Sequence, residues 1–129
     1  MTTSQPTSVT GINARSSTAL SVTRWALQVL LALAFLAAGV SKIAGAEPMV
    51  ENFNKIGMGQ WFRILTGALE VAGAVALLVP RAAFYGALLL VCVMAGAVVA
   101  HLATPLGGNP AAPAVLGVLA AAVAYLRRP

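Results

Sequence analysis

The sequence is poor in the side chains that build catalytic and metal centres. Its 129 residues include one cysteine, Cys92, one histidine, His101, and no aspartate. A single cysteine cannot form an intramolecular disulfide or a Cys-x-x-Cys redox pair. The lack of aspartate excludes a Ser/His/Asp triad, and one histidine with one cysteine is too few for a bis-axial haem or a zinc site. We therefore expect no metal site and no catalytic residues, and a chain that is not catalytic on its own.

Charge is also scarce. Charged residues make up 9% of the chain and hydrophobic residues 60%, with a mean hydropathy of +0.90. A soluble domain carries about 25% charged residues. The composition therefore predicts a polytopic membrane protein. The net charge of +5 lies mostly at the ends of apolar runs, where basic residues bind anionic headgroups and fix topology. No basic cluster with interleaved aromatic residues predicts nucleic-acid binding.

The apolar runs predict an all-α fold, a four-helix transmembrane bundle over residues 24–129. Residues 1–23 are rich in Ser and Thr and are predicted to be a disordered tail. Apolar residues at helical spacing between the first two spans predict a short amphipathic helix on the membrane surface. Gly, Pro and Asn at residues 104–110 predict a loop before the last span. The predicted spans are about 25–44, 61–79, 82–103 and 111–126.

The first span has an alternative interpretation. A basic start, an apolar stretch and Ala44-Gly45-Ala46 resemble a signal peptide with its cleavage site, which would remove residues 25–46 with the tail. The apolar stretch is long for a signal peptide, and Lys42 falls where small neutral residues are expected. Cleavage would also leave only three spans, which are too few to enclose Glu70 well. We therefore favour a retained helix.

The basic residues predict that both termini are cytoplasmic, and we expect the membrane to be the plasma membrane of a bacterium. With that orientation, five basic residues lie inside and three outside. The inside set is Arg15, Arg24, Arg81, Arg127 and Arg128, and the outside set is Lys42, Lys55 and Arg63.

Glu70 lies near the middle of the second span. A carboxylate at that depth costs about 2.5–3.5 kcal/mol on insertion scales. Small residues, Thr66, Gly67, Gly73 and Ala74, lie three and four positions away on the same helix face. Small residues let neighbouring helices approach closely. This face is therefore predicted to point into the bundle, with the carboxyl group held inside.

Lys42 and His101 fall on the same side of the membrane as Glu70. In the predicted topology Lys42 lies near the outer end of span one and His101 near the outer end of span three. Together the three side chains suggest one ligand or proton pocket that opens toward the outer face. The alternatives remain open: Lys42 as a snorkelling boundary residue, His101 as an interfacial one, and Lys42 with Glu70 as a structural ion pair.

Cys92 lies mid-span, with no second cysteine to pair with. Such a residue usually behaves as a small hydrophobe. We expect it to be buried in lipid or in the core and to be dispensable.

Four segments in order give a family resemblance. They are Gly39-x-x-Lys42, Lys55-Ile56-Gly57-Met58, Thr66-Gly67-x-x-Glu70 and a third span that ends at His101. This order and spacing, over about residues 25–125, resembles the DoxX-like family of small membrane proteins. The resemblance implies a four-helix membrane bundle in which Lys42, Glu70 and His101 occupy the family's polar positions. Some relatives are associated with quinone-linked oxidation of sulfur compounds, or with membrane complexes that handle oxidative and thiol stress.

Three functions are therefore kept as hypotheses. The first is an accessory subunit of a quinone- or thiol-linked membrane redox system, with a quinone as a non-covalent ligand and a soluble oxidoreductase as partner. The second is a small solute or proton transporter, which would need a homo-oligomer of these short helices. The third is a purely structural bundle.

Overall fold

The chain folds into helices that are joined by short connections. A computed structural model describes the backbone of residues 7–104 and 109–129, and the side chains of residues 18–104 and 109–129. Within those ranges the fold is all-α, as the sequence predicts, with no strand. Its helices are α1 (Thr7–Ala44), α2 (Glu47–Ile56), α3 (Gln60–Leu77), α4 (Ala83–Ala103) and α5 (Ala111–Leu126).

The structure differs from the prediction of a disordered N-terminal tail. Helix α1 begins at Thr7, so residues 7–23 are helical, while residues 1–6 lie outside the described part. The apolar half of α1 supplies a helix that can extend toward the N-terminus, and extending a helix costs far less than nucleating one. The Thr23 hydroxyl donates to the carbonyl oxygen of Ala19, 2.8 Å away. A backbone carbonyl group of the same helix therefore satisfies the hydrogen-bonding capacity of Thr23, one of the polar side chains that had indicated disorder.

Glycines end the first two helices. At the end of α1, Gly45 has a φ of 77°, the Ala46 N–H donates to the Ser41 carbonyl oxygen, and the Gly45 N–H donates to that of Lys42. This pair of bonds is the Schellman motif, which a left-handed residue makes possible. Gly57, with a φ of 81°, ends α2 in the same left-handed conformation.

The predicted loop before the last helix falls largely outside the described residues, which omit 105–108. On its near side Thr104 is extended. On its far side the Asn109 side-chain oxygen accepts from the N–H of Ala111, at 2.9 Å. The start of α5 is thereby stabilised, because the first N–H groups of a helix have no partner within it.

The helices pack in chain order around a common core. Helix α3 packs against α1 on one side and α4 on the other, and α5 packs against α4 and more lightly against α1. Within α1 and α3, Gln28 contacts Leu77 while Gly39 approaches Gly67, so these two helices are antiparallel. Buried apolar side chains of α1, α3, α4 and α5 form the core, which includes Leu31, Phe35, Ala74, Leu77, Ala87, Leu90, Met94, Ala120 and Val123.

The outside of the bundle is apolar. Two helical segments of the described chain are long and apolar enough to cross a membrane, Thr18–Ala44 and Ala83–Ala103, and α5 is apolar but shorter. Many large apolar side chains are exposed, among them Leu30, Leu33, Val99, Leu102 and Val118. A water-soluble monomer rarely exposes so much contiguous apolar surface. The surface is therefore typical of a chain that faces lipid or partner subunits.

Candidate functional site

The site is built on a close approach of α1 and α3. A Cβ atom placed on Gly39 would lie 2.8 Å from the carbonyl oxygen of Gly67, and one placed on Gly67 would lie 2.8 Å from that of Gly39. No side chain fits between these two backbones. Glycine at both positions therefore brings the helix axes together, as small residues do at helix interfaces in membranes.

Lys42 and Glu70 each follow one of these glycines by three residues. Helical side chains lean toward the N-terminus of their own helix. In an antiparallel pair, the side chains of Lys42 and Glu70 therefore lean toward each other and toward the glycine contact. The Lys42 Nζ atom lies 2.9 Å from Oε1 of Glu70. The sequence prediction that these two side chains meet agrees with this geometry.

Glu70 is almost completely removed from solvent. Its side chain is 1% exposed, and that of Lys42 is 14% exposed. Lys42 forms its ion-pair contact with Oε1. Both carboxylate oxygens are buried, and neither has a hydrogen-bond partner among the described residues, so that Oε2 lacks even the ion-pair contact that Oε1 makes. A buried acceptor without a donor costs about 1–3 kcal/mol, and more when it is charged. Oε2 is therefore the atom of the site that needs a further partner.

The pair faces a cavity inside the bundle. The cavity has a volume of about 610 Å³, and Lys42, Glu70 and His101 all line it. Most of its wall is apolar, from side chains of every helix; the apolar part includes Phe35, Phe53, Leu69, Leu89, Val93 and Leu116. A mostly apolar cavity lined by a few polar side chains is the usual form of a small-molecule site.

Helix α2 forms part of the cavity wall. Its Met49, Phe53 and Ile56 side chains line the cavity. Phe53 is buried, and its ring packs edge-on against that of Phe62 in α3, with centroids 5.8 Å apart. The predicted interfacial helix is thus present, and it also encloses the site, which its amphipathic pattern alone did not indicate.

His101 reaches the cavity but not the ion pair. Its Nδ1 atom lies 2.8 Å from the carbonyl oxygen of Ala97, one turn earlier in α4. A carbonyl oxygen only accepts, so Nδ1 carries the proton. In the neutral ring Nε2 is then the free acceptor. The structure thus brings Lys42 and Glu70 into contact and places His101 on the same cavity wall.

Arg63 is a site residue that the sequence prediction missed. From the first turn of α3, its Nη1 donates to the carbonyl oxygens of Lys42 and Ile43, at the C-terminal end of α1. A cation at this end of a helix binds carbonyl groups that have no partner in the helix. Arg63 therefore fixes the turn that carries Lys42. The sequence signal that could have identified Arg63 is a basic residue just inside an apolar span.

Gln28 is a second missed residue, at the opposite end of the bundle. Its side chain is 1% exposed. It donates to the Leu77 carbonyl oxygen, 2.8 Å away at the end of α3, and accepts from Nε of Arg127. Arg127 also lies over the Trp25 ring, 5.0 Å from its centroid. The Gln28 amide thus joins α1, α3 and the residue after α5. The sequence signal that could have identified it is a lone glutamine in an apolar span.

Cys92 is not buried in the core. It is exposed on α4 and lies on the cavity wall, so the core alternative of its predicted placement is wrong. The run around it is apolar on every side, and periodicity could not separate an inward face from an outward one. Among the described residues, no group of three or more His, Cys, Asp or Glu side chains could hold a metal ion.

Comparison with known proteins identifies the family. The sequence model of the DoxX-like family matches residues 26–123. The chain is 39% identical over 80 residues to "Uncharacterized protein YdgD" of Bacillus subtilis (strain 168), an alignment that covers 59% of this chain and 70% of that protein. No solved structure matches it significantly. The family match covers well over half of the sequence, so this chain belongs to the DoxX-like family and is a membrane protein of that type.

Proposed function

From this family membership, we propose that the protein is an accessory subunit of a quinone- or thiol-linked membrane redox system, and that its cavity receives a quinone-type ligand. The single observation that carries the proposal is the Glu70 carboxylate. It is buried, it lines a mostly apolar cavity of about 610 Å³, and apart from the ion pair with Lys42 its oxygens have no hydrogen-bond partner among the described residues. Such an arrangement needs a ligand that is mostly apolar and polar at one end.

The proposal places α1, α3, α4 and α5 across the bilayer as a four-helix bundle. Helix α3 is 18 residues long, about 27 Å at helical rise, which approaches the thickness of the hydrocarbon core. Helix α5, at 16 residues, would sit in a thin or tilted environment. Helix α2 would lie at the outer surface, because it adjoins the end of α1 that carries Lys42. Both termini would be cytoplasmic.

The described residues fit a quinone headgroup. The apolar part of the wall suits its ring and tail, and the polar side chains on the wall include the Lys42–Glu70 pair and, apart from it, His101. When bound, a quinone supplies two-electron, two-proton transfer chemistry. Lys42 would hold the carboxylate charge within the bundle, Glu70 would accept or relay a proton, and His101 would connect the cavity to the outer surface. Acidic and histidine side chains inside membrane spans are typical of proton relays.

The partner would be a soluble oxidoreductase. The chain has one cysteine and one histidine, which are too few for a dithiol redox pair or a zinc site. We therefore assign the protein a binding and proton-handling role and the chemical step to the partner.

A second candidate is a small proton or solute transporter. The observation that favours it is an apolar groove of about 220 Å³ between α4 and α5, lined by Ala95, Ala114, Gly117 and Ala121 among others. Small residues on a helix surface allow close packing of a further helix. A homo-oligomer formed there would supply the additional helices that a transport path needs.

Two assays separate the candidates. In the first, the purified protein in detergent is heated with and without a short-chain quinone. A higher unfolding midpoint is expected for a quinone pocket, because a ligand of the native state stabilises it by mass action. Gly96→Leu is the variant in which the cavity is blocked. Gly96 lines the cavity, and a Cβ atom placed on it meets nothing within 4 Å, so the larger side chain fits there without a clash.

The second assay measures proton or solute flux into vesicles without quinone. Flux would support the transporter. If there is neither a shift in unfolding midpoint nor flux, the structural bundle is the remaining candidate.

A further inference from the structure

We propose that the cavity selects the reduced, hydroxyl-bearing form of its ligand, a hydroquinone or similar phenol, over the oxidised quinone. This inference rests on the proposed quinone pocket and adds which redox form it binds. It follows from the hydrogen-bonding capacity that the Lys42–Glu70 pair leaves unused.

The unused acceptor is Oε2 of Glu70. A carboxylate can only accept, and Oε1 already contacts Lys42 at 2.9 Å. Both oxygens are buried and neither has a hydrogen-bond partner among the described residues; with the ion-pair contact at Oε1, Oε2 is the oxygen left without a donor. The Thr66 hydroxyl, one helical turn before Glu70 and on the same cavity wall, is engaged elsewhere, because it donates to the Phe62 carbonyl oxygen. A ligand that completes this site must therefore bring a donor.

The unused donors are on Lys42. Its ammonium group carries three N–H bonds, and within the described residues Glu70 is the one carboxylate that it contacts. The pair thus presents an acceptor and a donor side by side. A phenolic hydroxyl can donate to Oε2 and accept from the ammonium at the same time. A quinone carbonyl oxygen can accept from Lys42 but leaves Oε2 without a partner.

Water alone does not complete the site. A water molecule could donate to Oε2, but most of the wall is apolar and includes Phe35, Leu69 and Leu116 beside the polar Asn52, Thr66 and Asn109. Filling such a cavity with water forgoes the free energy of covering that surface. An amphiphile with a hydroxyl at one end covers the apolar wall and supplies the donor as well. Because a hydrogen bond to a charged group is among the strong ones, we expect a preference of about tenfold or more for the hydroxyl form.

The test compares three matched probes on the full-length protein in detergent. They are 2-methyl-1,4-naphthohydroquinone, kept reduced under anaerobic conditions, the corresponding naphthoquinone, and the dimethyl ether of the hydroquinone. The ether keeps the reduced ring but has no donor. Dissociation constants are calculated from the ligand concentration in the detergent phase, so that differences in partitioning into micelles do not affect their ratio. We expect the hydroquinone to bind about tenfold or more tightly than both others.

Two variants locate the effect. Glu70→Gln replaces an oxygen by an amide nitrogen that donates, so the preference for hydroquinone should fall to about one or reverse. Glu51→Gln is the matched control, because Glu51 is an exposed carboxylate of α2 outside the cavity; it should keep the wild-type ratio. The comparison of the three probes on wild type needs no variant, so it stands even if Glu70→Gln does not fold.

The outcomes separate this inference from the proposed function. If quinone, ether and hydroquinone bind equally well, or quinone binds best, the inference is overturned and the quinone pocket stands. If none of the three binds, the proposed function fails and the inference fails with it. If the hydroquinone preference survives in a folded Glu70→Gln variant, Glu70 is not its origin and the inference is overturned.

Discussion

Gly39 and Gly67 lie back to back, so that a Cβ atom on either would come within 2.8 Å of the other's carbonyl oxygen. Each glycine is followed three residues later by one partner of the ion pair, Lys42 or Glu70. The spacing Gly-x-x-charge thus occurs once on each helix of an antiparallel pair. The glycine contact sets the distance between the helices, and that distance lets the two charged side chains meet.

The first prediction concerns this glycine contact. Gly67→Ala should destabilise the protein by about 1–3 kcal/mol, the range for forcing extra atoms into a packed interface, because the obstructing atom is backbone and cannot rotate away. Gly96→Ala is the control: its new Cβ would meet nothing within 4 Å, and alanine is the better helix former by about 1 kcal/mol. Thermal unfolding in detergent measures both. Equal stability of the two variants would show that the helices do not touch at Gly67.

The sequence predicted much of this arrangement because apolar length and polar exceptions are local signals. The helices α3, α4 and α5 begin and end within two residues of the predicted spans, since Gly, Pro and Arg mark their limits. Glu70 was identifiable because a mid-span carboxylate has few physical explanations. Lys42 followed from the direction of the spans, which places its side chain and that of Glu70 in the same half of the bundle.

The rest depended on tertiary contacts that no local pattern encodes. Residues 7–23 looked like a disordered tail because their composition is polar, but they extend an existing helix. Arg63 and Gln28 bond to backbone carbonyls of other helices, and backbone partners leave no mark in a sequence. The sequence could not decide between the lipid and the core placement of Cys92, because α4 is apolar on all faces and its inward face has no periodic signature.

The second prediction concerns Gln28. Gln28→Leu should cost about 1–3 kcal/mol, the penalty for leaving buried polar groups unpaired, because the Leu77 carbonyl oxygen and the Arg127 guanidinium both lose their partner. Thr23→Ala serves as the control. It removes an exposed hydrogen bond within α1 and should change stability by less than about 0.5 kcal/mol. Denaturant titration of both variants tests it, and a Gln28→Leu variant as stable as Thr23→Ala would contradict the joining role.

The third prediction concerns Cys92. Cys92→Ala should leave expression and stability nearly unchanged, because the side chain is exposed on α4 and is not part of the core. The same exposure, on the cavity wall, should let a small uncharged maleimide label the wild-type thiol without prior unfolding. Mass spectrometry measures the labelling. A thiol that reacts only after denaturation, or a variant that fails to accumulate, would show that the residue is a core element after all.

The fourth prediction concerns topology. Reporter fusions placed after Arg128 and within α2 should appear on opposite sides of the membrane, with the C-terminal fusion cytoplasmic. The structure puts these sites at opposite ends of the bundle: Arg127 contacts Trp25 and Gln28, whereas α2 adjoins the end of α1 near Arg63. A fusion at Arg81, in the turn after α3, is the internal control and should match the C-terminal one. Reporters in α2 and at the C-terminus on the same side would rule out the four-span arrangement.

The fifth prediction concerns the ion pair itself. Lys42→Met and Glu70→Met should each cost about 3–5 kcal/mol, because each strands the other charge inside the bundle. The double variant should recover much of this loss, since two apolar side chains of similar length fill the same space. Strictly additive losses would show that the two side chains do not interact, because independent sites add.

The double variant also provides the most direct test of the central claim, that the Lys42–Glu70 cavity is a ligand pocket and not only a packing device. The measurement is the shift in unfolding midpoint that a saturating naphthohydroquinone causes in wild type and in folded Lys42→Met/Glu70→Met. At 100 times its dissociation constant a ligand stabilises the native state by about 2.7 kcal/mol, so the wild-type midpoint should rise by several degrees and that of the double variant should not move. No shift in wild type, or an equal shift in both proteins, would contradict the account.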